Sequence, residues 1–291
     1  MALFPSGPLV RGPRSTATRR SGLFSVAPPQ TPGDPHWMVG GVNWEDFLCT
    51  EIESFLDVCP PTTGFTKPRD RNFNFCHADP FNVIGSFDCS VGGRVRQYKA
   101  GEAFEIARQR LLRWQEHKVE EVFWTGLTTS GAVNPSLQGG NDECDIDVID
   151  LTPGGGELDP VGSLAALEEA LTDIVPMGVI HVPFGLATYL KRFNLIEVEN
   201  GVAYTVTGTP VVIGAGYPGS GPANVAAGAG TTWMFATGPV AVWESSVALV
   251  PDDLSQSIDR SINDITVYAE KYFAVGYSCT SLAINVELIA L

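Results

Sequence analysis

The chain has 291 residues, 44% of them apolar, with a formal net charge of -15, which allows a sizeable core and excludes a disordered chain. No stretch approaches the roughly 18 to 20 uninterrupted apolar residues that spanning a bilayer requires, and the first residues lack the apolar run of a secretory signal. The sequence therefore reads as made in a cytoplasm, with no membrane partner.

Residues 1–40 are dense in Pro, Gly, Ser and Thr, which removes amide donors and disfavours helix and sheet interiors, so an extended N-terminal arm is expected over 1–45. Arg11, Arg14, Arg19 and Arg20 stand in it, and no acid precedes Asp34. A basic tail on an acidic body suits contact with a polyanion or an acidic neighbour. The plain alternative is a loose terminus. An arm with few contacts of its own needs something to order it, and a partner subunit is the natural candidate.

Trp44, Phe47, Leu48, Ile52, Phe55 and Leu56 recur at helical spacing behind Asn43 as a cap, predicting a short helix placed at 46–59. Residues 60–99 mix prolines and glycines with β-favouring residues and read as a long, bulged β excursion. That excursion is basic, with Lys67, Arg69, Arg71, Arg94, Arg96 and Lys99 against Asp70, Asp79 and Asp88.

From Glu102 to Thr125 the residues Phe104, Ala107, Leu111, Trp114 and Val122 form one apolar stripe, predicting a helix about 36 Å long. Gly101 is its expected cap and Gly126 its stop. Residues 127–160 are loop-rich and acidic, and Asp159-Pro160 then opens a helix carrying Leu164, Leu167, Leu171 and Ile174 on one face. A strand at 178–182 and a helix from Pro183 follow. Asn200-Gly201 between β-favouring runs predicts a tight type I′ hairpin. Strands are expected near 210–214, 231–236 and 240–249, and two long β runs, Ile265 to Tyr277 and Leu282 to Ile289, close a mixed α+β chain.

Chemistry-bearing motifs are sparse. Six cysteines lack any Cys-x-x-Cys pair and read as reduced structural thiols, although four of them between Cys49 and Cys89 leave disulfides open. Gly214-Ala215-Gly216-Tyr217-Pro218-Gly219 fits a dinucleotide-binding fingerprint after an apolar strand. Pro218, Pro222 and further glycines argue against the helix that a pyrophosphate requires. Asp142, Glu143, Asp145, Asp147 and Asp150 read as a solvated acidic loop, since no glycine stands where a calcium loop turns. The four histidines are scattered, and neither a nucleophile elbow nor a phosphate loop is spelled. No catalytic residue, metal ligand or cofactor is expected.

The order of elements, together with the run Thr232-Trp233-Met234-Phe235-Ala236-Thr237-Gly238-Pro239-Val240, Trp243-Glu244, Asp259-Arg260, Asn263, Tyr268-Ala269-Glu270-Lys271 and Phe273-Ala274-Val275-Gly276, resembles the Hong Kong 97-type major capsid protein of tailed phages, those of actinobacterial hosts in particular. The resemblance implies an arm at 1–45, a short helix at 46–59 and an extended loop at 60–99. It also implies a peripheral domain with its spine helix at 100–159, an axial domain at 160–235 and a return to the peripheral domain at 236–291. Such subunits form hexamers and pentamers around double-stranded DNA, with a portal at one vertex and scaffolding and decoration proteins as further candidate partners. The resemblance places Lys67, Arg69, Arg71, Arg94 and Arg96 on a neighbouring subunit and turns Arg11, Arg14, Arg19 and Arg20 inward or onto a neighbour. It makes Gly216, Tyr217, Pro218 and Gly219 a flexible loop near the capsomer axis. An encapsulin-type nanocompartment shares the architecture, and a dinucleotide enzyme using Gly214 to Gly219 is the alternative from another class.

Overall fold

The computed structural model describes residues 21–46, 74–88, 100–128, 134–140, 147–154, 156–175, 177–252, 258–259 and 264–288. Two sheets share one long helix. The first has β13 (Asp264–Tyr277) as its centre, with β10 (Val240–Glu244) and β11 (Ala248–Val250) along one side and β3 (Phe81–Asp88) along the other. β3 runs antiparallel to β13 from Phe81↔Phe273 to Asp88↔Thr266. The two-residue β12 (Ile258–Asp259) folds back on the start of β13.

The second sheet has seven strands in the order β4-β14-β9-β5-β8-β7-β6: β4 (Val148–Asp150), β5 (Val179–Pro183), β6 (Ile196–Glu199), β7 (Val202–Thr205), β8 (Pro210–Gly214), β9 (Thr231–Thr237) and β14 (Ser281–Glu287). β14 is parallel to β4 and antiparallel to β9, and β5 is parallel to β8. The C-terminal strand β14 thus completes the seven-stranded sheet, most of whose strands lie in the span expected to be axial (160–235), whereas a return to the peripheral domain is expected over 236–291. β4, expected within the peripheral span 100–159, belongs to the axial sheet as well. β-propensity reports that a segment is a strand and carries no information on its partner.

The spine helix α3 (Ala100–Thr125) buries Ala103, Phe104, Ala107, Leu111, Val119 and Val122. It begins two residues before the expected start, so Gly101 lies inside it. Gly126, at φ 73°, ends it by donating to Val122 O at 2.7 Å, because the left-handed conformation that closes a helix favours glycine. Gly85 of β3 lets α3 approach its sheet: a Cβ there would lie 2.3 Å from Ala107 O. The far end of α3 places Phe123 and Trp124 in the same core as Val212, Trp233 and Phe235 of the axial sheet. One helix therefore joins both sheets.

α4 (Pro160–Ile174) starts where expected, with Asp159 accepting from Gly162 N–H at 2.7 Å and Pro160 in the first turn, the acceptor-plus-proline start that satisfies orphan amides. With α5 (Phe184–Arg192) it covers the outer face of the axial sheet through Leu164, Leu167, Leu171, Leu186 and Leu190. Ile174, expected on that buried face, is exposed. Asn200 (φ 50°) and Gly201 (φ 89°) form the hairpin turn between β6 and β7.

Candidate functional site

Sequence reasoning put function in the arm, the extended loop and the glycine loop. The arm's described part is held by its own chain. Ser21 N–H donates to Gly201 O at 2.7 Å, and Ile213 N–H donates to Ser21 O at 2.7 Å. The single-turn α1 (Leu23–Val26) then crosses the spine helix, where Leu23 N–H donates to Glu120 Oε1 at 3.1 Å and Phe24 N–H to Glu116 Oε1 at 3.0 Å. Gln30 finally bridges to β10, donating to Val242 O and accepting from Glu244 N–H. Residues 21–30 are thus a strap across both sheets, which corrects the expectation that a neighbour orders the whole arm. Arg11, Arg14, Arg19 and Arg20 lie outside the described residues.

Glu120 is fully buried, and its second oxygen accepts from Gly216 N–H at 2.9 Å. One carboxylate therefore serves the strap and the glycine loop together, and a carboxylate accepting backbone N–H groups makes strong, short bonds. Gly216 has no room for a side chain, since a Cβ would lie 2.1 Å from His117 O of the spine helix. Tyr217 is 5% exposed and sets its ring 4.7 Å from that of Trp124. Of the four residues expected in a flexible axial loop, Gly216, Tyr217 and Gly219 are buried and Pro218 alone is exposed. The loop is an internal seam between spine helix and axial sheet. A glycine-rich composition reads as freedom in sequence, whereas here it permits close approach. The only helical turn between residues 217 and 230 is the three-residue Pro222–Asn224, so the dinucleotide alternative has no helix N-terminus to meet a pyrophosphate.

Behind Tyr217 a hydrogen-bonded chain runs through the core. Thr237 Oγ1 donates to Gly238 O at 2.9 Å, so its oxygen accepts from His181 Nε2 at 3.0 Å, and His181 Nδ1 accepts from Tyr217 Oη at 3.1 Å. Burial pushes the His181 pKa down to about 3 and raises that of Tyr277, whose ring packs edge-on against Phe123. A neutral imidazole is what two hydroxyl partners in an apolar site select. In the peripheral sheet Lys271 Nζ meets Glu244 Oε2 at 2.5 Å.

The extended loop starts from a ladder. β1 (Val42–Asp46) pairs antiparallel with β2 (Asn74–Ala78) from Val42↔Ala78 to Asp46↔Asn74. The helix expected at 46–59 therefore begins on a strand residue, and the rest of it lies outside the described residues. Trp44 packs on Trp243 with ring centroids 5.4 Å apart, and Trp37 of α2 (Trp37–Gly40), Ala78 and Ala274 form a small buried cluster beside it. Residues 81–88, expected within the excursion, are the core strand β3. Lys67, Arg69 and Arg71 fall in 47–73, which joins β1 to β2, and Arg94 and Arg96 fall between β3 and α3; all five lie outside the described residues.

Cys76 of β2 and Cys279, in the turn between β13 and β14, are each disulfide-bonded, which corrects the reduced-thiol reading for these two. Among the described residues no group of three His, Cys, Asp or Glu side chains is placed to hold a metal ion. Sequence reasoning missed Glu116, Glu120 and His181. The signal was present for Glu120, a charged residue flanked by Val119 and Val122 at the buried phase of the helix.

No protein-family model matches the chain, and no curated protein matches it. Solved structures do. The capsid of a native GTA particle computed with C5 symmetry matches at 12% identity and a TM-score of 0.55, over 96% of this chain and 95% of that one. A chain from Microbacterium phage Oxtober96 gives 10% and 0.54 over 97% and 95%, and the capsid of Ralstonia phage GP4 gives 11% and 0.53 over 97% and 96%. The chain has the Hong Kong 97-type capsid fold.

Proposed function

We propose that this chain is the major shell subunit of a tailed phage, assembling as hexamers and pentamers into an icosahedral capsid around double-stranded DNA. The observation that supports it is the likeness to capsid chains over nearly the whole of both partners, at 96% and 95% coverage for the C5-symmetric particle. Its chemistry is then association, with no enzymatic step. Lys67, Arg69, Arg71, Arg94 and Arg96 lie on the acidic body of a neighbouring subunit, and Arg11, Arg14, Arg19 and Arg20 neutralise phosphates or a neighbour's carboxylates. A portal protein, and scaffolding and decoration proteins, are the partners this reading implies. Assembly proceeds in the host cytoplasm and the product resides in the virion.

Electron microscopy of the purified chain tests this. Closed shells with five- and six-fold capsomers are expected. A chain that stays monomeric across concentration and salt, and that binds NAD in calorimetry, overturns the proposal in favour of the dinucleotide alternative.

A further inference from the structure

Trp114 was expected in the buried stripe of the spine helix and is 56% exposed. Its indole packs edge-on against His117 at 5.4 Å; Arg110 and Lys118 stand four residues to either side, the spacing at which helical side chains neighbour one another, and Arg113 is adjacent in sequence. Of these three cations Lys118 alone meets a carboxylate of the helix among the described residues. Glu116 and Glu120 turn inward to the strap, Glu105 pairs with Arg108, and Glu121 pairs with Lys118. Arg110 donates to the neutral Ser86 carbonyl at 2.6 Å. Among the described residues no carboxylate pairs with Arg110 or Arg113.

An exposed indole with an arginine one turn before it and another adjacent in sequence has the composition of a protein–protein hot spot, where Trp and Arg dominate. A DNA duplex offers phosphates and sugar edges, which Arg and Lys meet without an aromatic face, whereas a protein surface can cover the ring. The chain itself supplies an opposite surface. Between residues 147 and 236 the only basic residues are Lys191 and Arg192, and the end of α4 exposes Glu169 and Asp173 beside Ile174 and Met177. We propose that Trp114 and Arg113 form a docking site for the acidic axial domain of a second copy of this chain. The contact joins unlike surfaces, the kind that closes rings when the rotation permits. It rests on the shell-subunit reading and adds a specific contact to it.

All six tryptophans are described, and Trp114 is the most exposed of them, so acrylamide quenching of fluorescence reports on it. In the full chain, the component of quenching removed by Trp114→Phe should be present in the free subunit and absent in DNA-free shells. Arg113→Glu and Trp114→Ala should leave the subunit's melting unchanged and weaken each contact about tenfold, the usual scale of a hot-spot truncation. Quenching of Trp114 that persists in DNA-free shells, or that disappears only in filled ones, overturns the proposal, the second outcome assigning the patch to the genome. Shells from both variants at wild-type yield and salt tolerance also overturn it while leaving the shell-subunit reading intact. Failure of the wild-type chain to form shells would instead strike that reading.

Discussion

Two buried polar side chains bear on how the folded chain answers to pH and to strain. His181 has a folded pKa of about 3, set by burial, against about 6.5 in an unfolded chain. Its contribution is fully present above the unfolded value and is lost as pH falls from about 6.5 towards 3, because only the unfolded state takes up the proton there. Between pH 7 and 5 this amounts to about 2 kcal/mol. Wild-type subunit should therefore lose melting temperature over that interval more steeply than His181→Gln; parallel pH profiles would show that the imidazole is not the cause. Glu120 is the second case. Replacing it by Ala strands the buried N–H groups of Leu23 and Gly216, each costing about 1 to 3 kcal/mol when unpaired. Amide exchange at those two positions should accelerate together while that of Phe235 in the axial core stays slow, and unchanged protection at either amide counts against the shared clamp. His181 carries no sequence signal of its role, and Glu120 carries only its place beside Val119 and Val122 at the buried phase of the helix. A lone histidine and a glutamate in a charged helix have many exposed precedents, and only the tertiary partner distinguishes these two.

At the scale of elements, the same glycine composition has opposite meanings in two places. Gly85 lies where a Cβ would meet Ala107 O at 2.3 Å and Leu111 N at 2.6 Å, whereas Gly185 in α5 has nothing within 4 Å. Gly85→Ala must lift the spine helix from β3, an overpacking cost of about 3 kcal/mol or more against backbone atoms. Gly185→Ala should stabilise by about 0.5 to 1 kcal/mol through helix propensity. Thermal melting of the two variants should shift in opposite directions; a stabilised Gly85→Ala would remove the close approach of helix and sheet. Elements defined by local chemistry were readable: the Asp159-Pro160 helix start, the Asn200-Gly201 hairpin and the Gly126 stop each follow from residues within a few positions. Elements defined by distant partners were not. β14 was assigned to the peripheral domain because nothing in Ser281–Glu287 names β9 and β4 as its neighbours. Trp114 was read as core because helical phase alone cannot tell which side of a stripe's edge meets solvent. The arm was read as one extended unit because proline density does not show that Ser21 to Gln30 bridge two sheets.

For the whole molecule, the charge pattern bears on the proposed association into a shell. The body is acidic at -15 overall, and the segment joining β1 to β2 carries Lys67, Arg69 and Arg71 with Asp70 as its nearest acid. Its base is fixed: the β1–β2 ladder is seated on the peripheral sheet through Trp44 against Trp243. Residues 67–71 are cationic although the whole segment 47–73 also holds Glu51, Glu53 and Asp57, and such a local cationic stretch lowers its free energy by lying on the acidic body of another copy, where unlike potentials meet. Each exposed pair is worth only about 0.2 to 1 kcal/mol, yet in the proposed shell the contact would recur in every subunit, so that small terms would accumulate. The arm's role is bounded by the strap: removal of residues 2–33 would take Leu23 and Gln30 from the fold, so loss of assembly in that truncation would report on folding rather than on the arginines. The charge-reversed loop avoids this confusion. Lys67→Glu, Arg69→Glu and Arg71→Glu together should leave circular dichroism and melting of the subunit nearly unchanged while abolishing or misdirecting shells. Wild-type assembly should weaken as ionic strength rises from 0.05 to about 0.5 M, where the screening length falls well below 10 Å. Normal particles from the triple variant, at normal yield and with unaltered salt dependence, would remove the loop as an intersubunit clamp and leave association to the spine-helix patch and the arm.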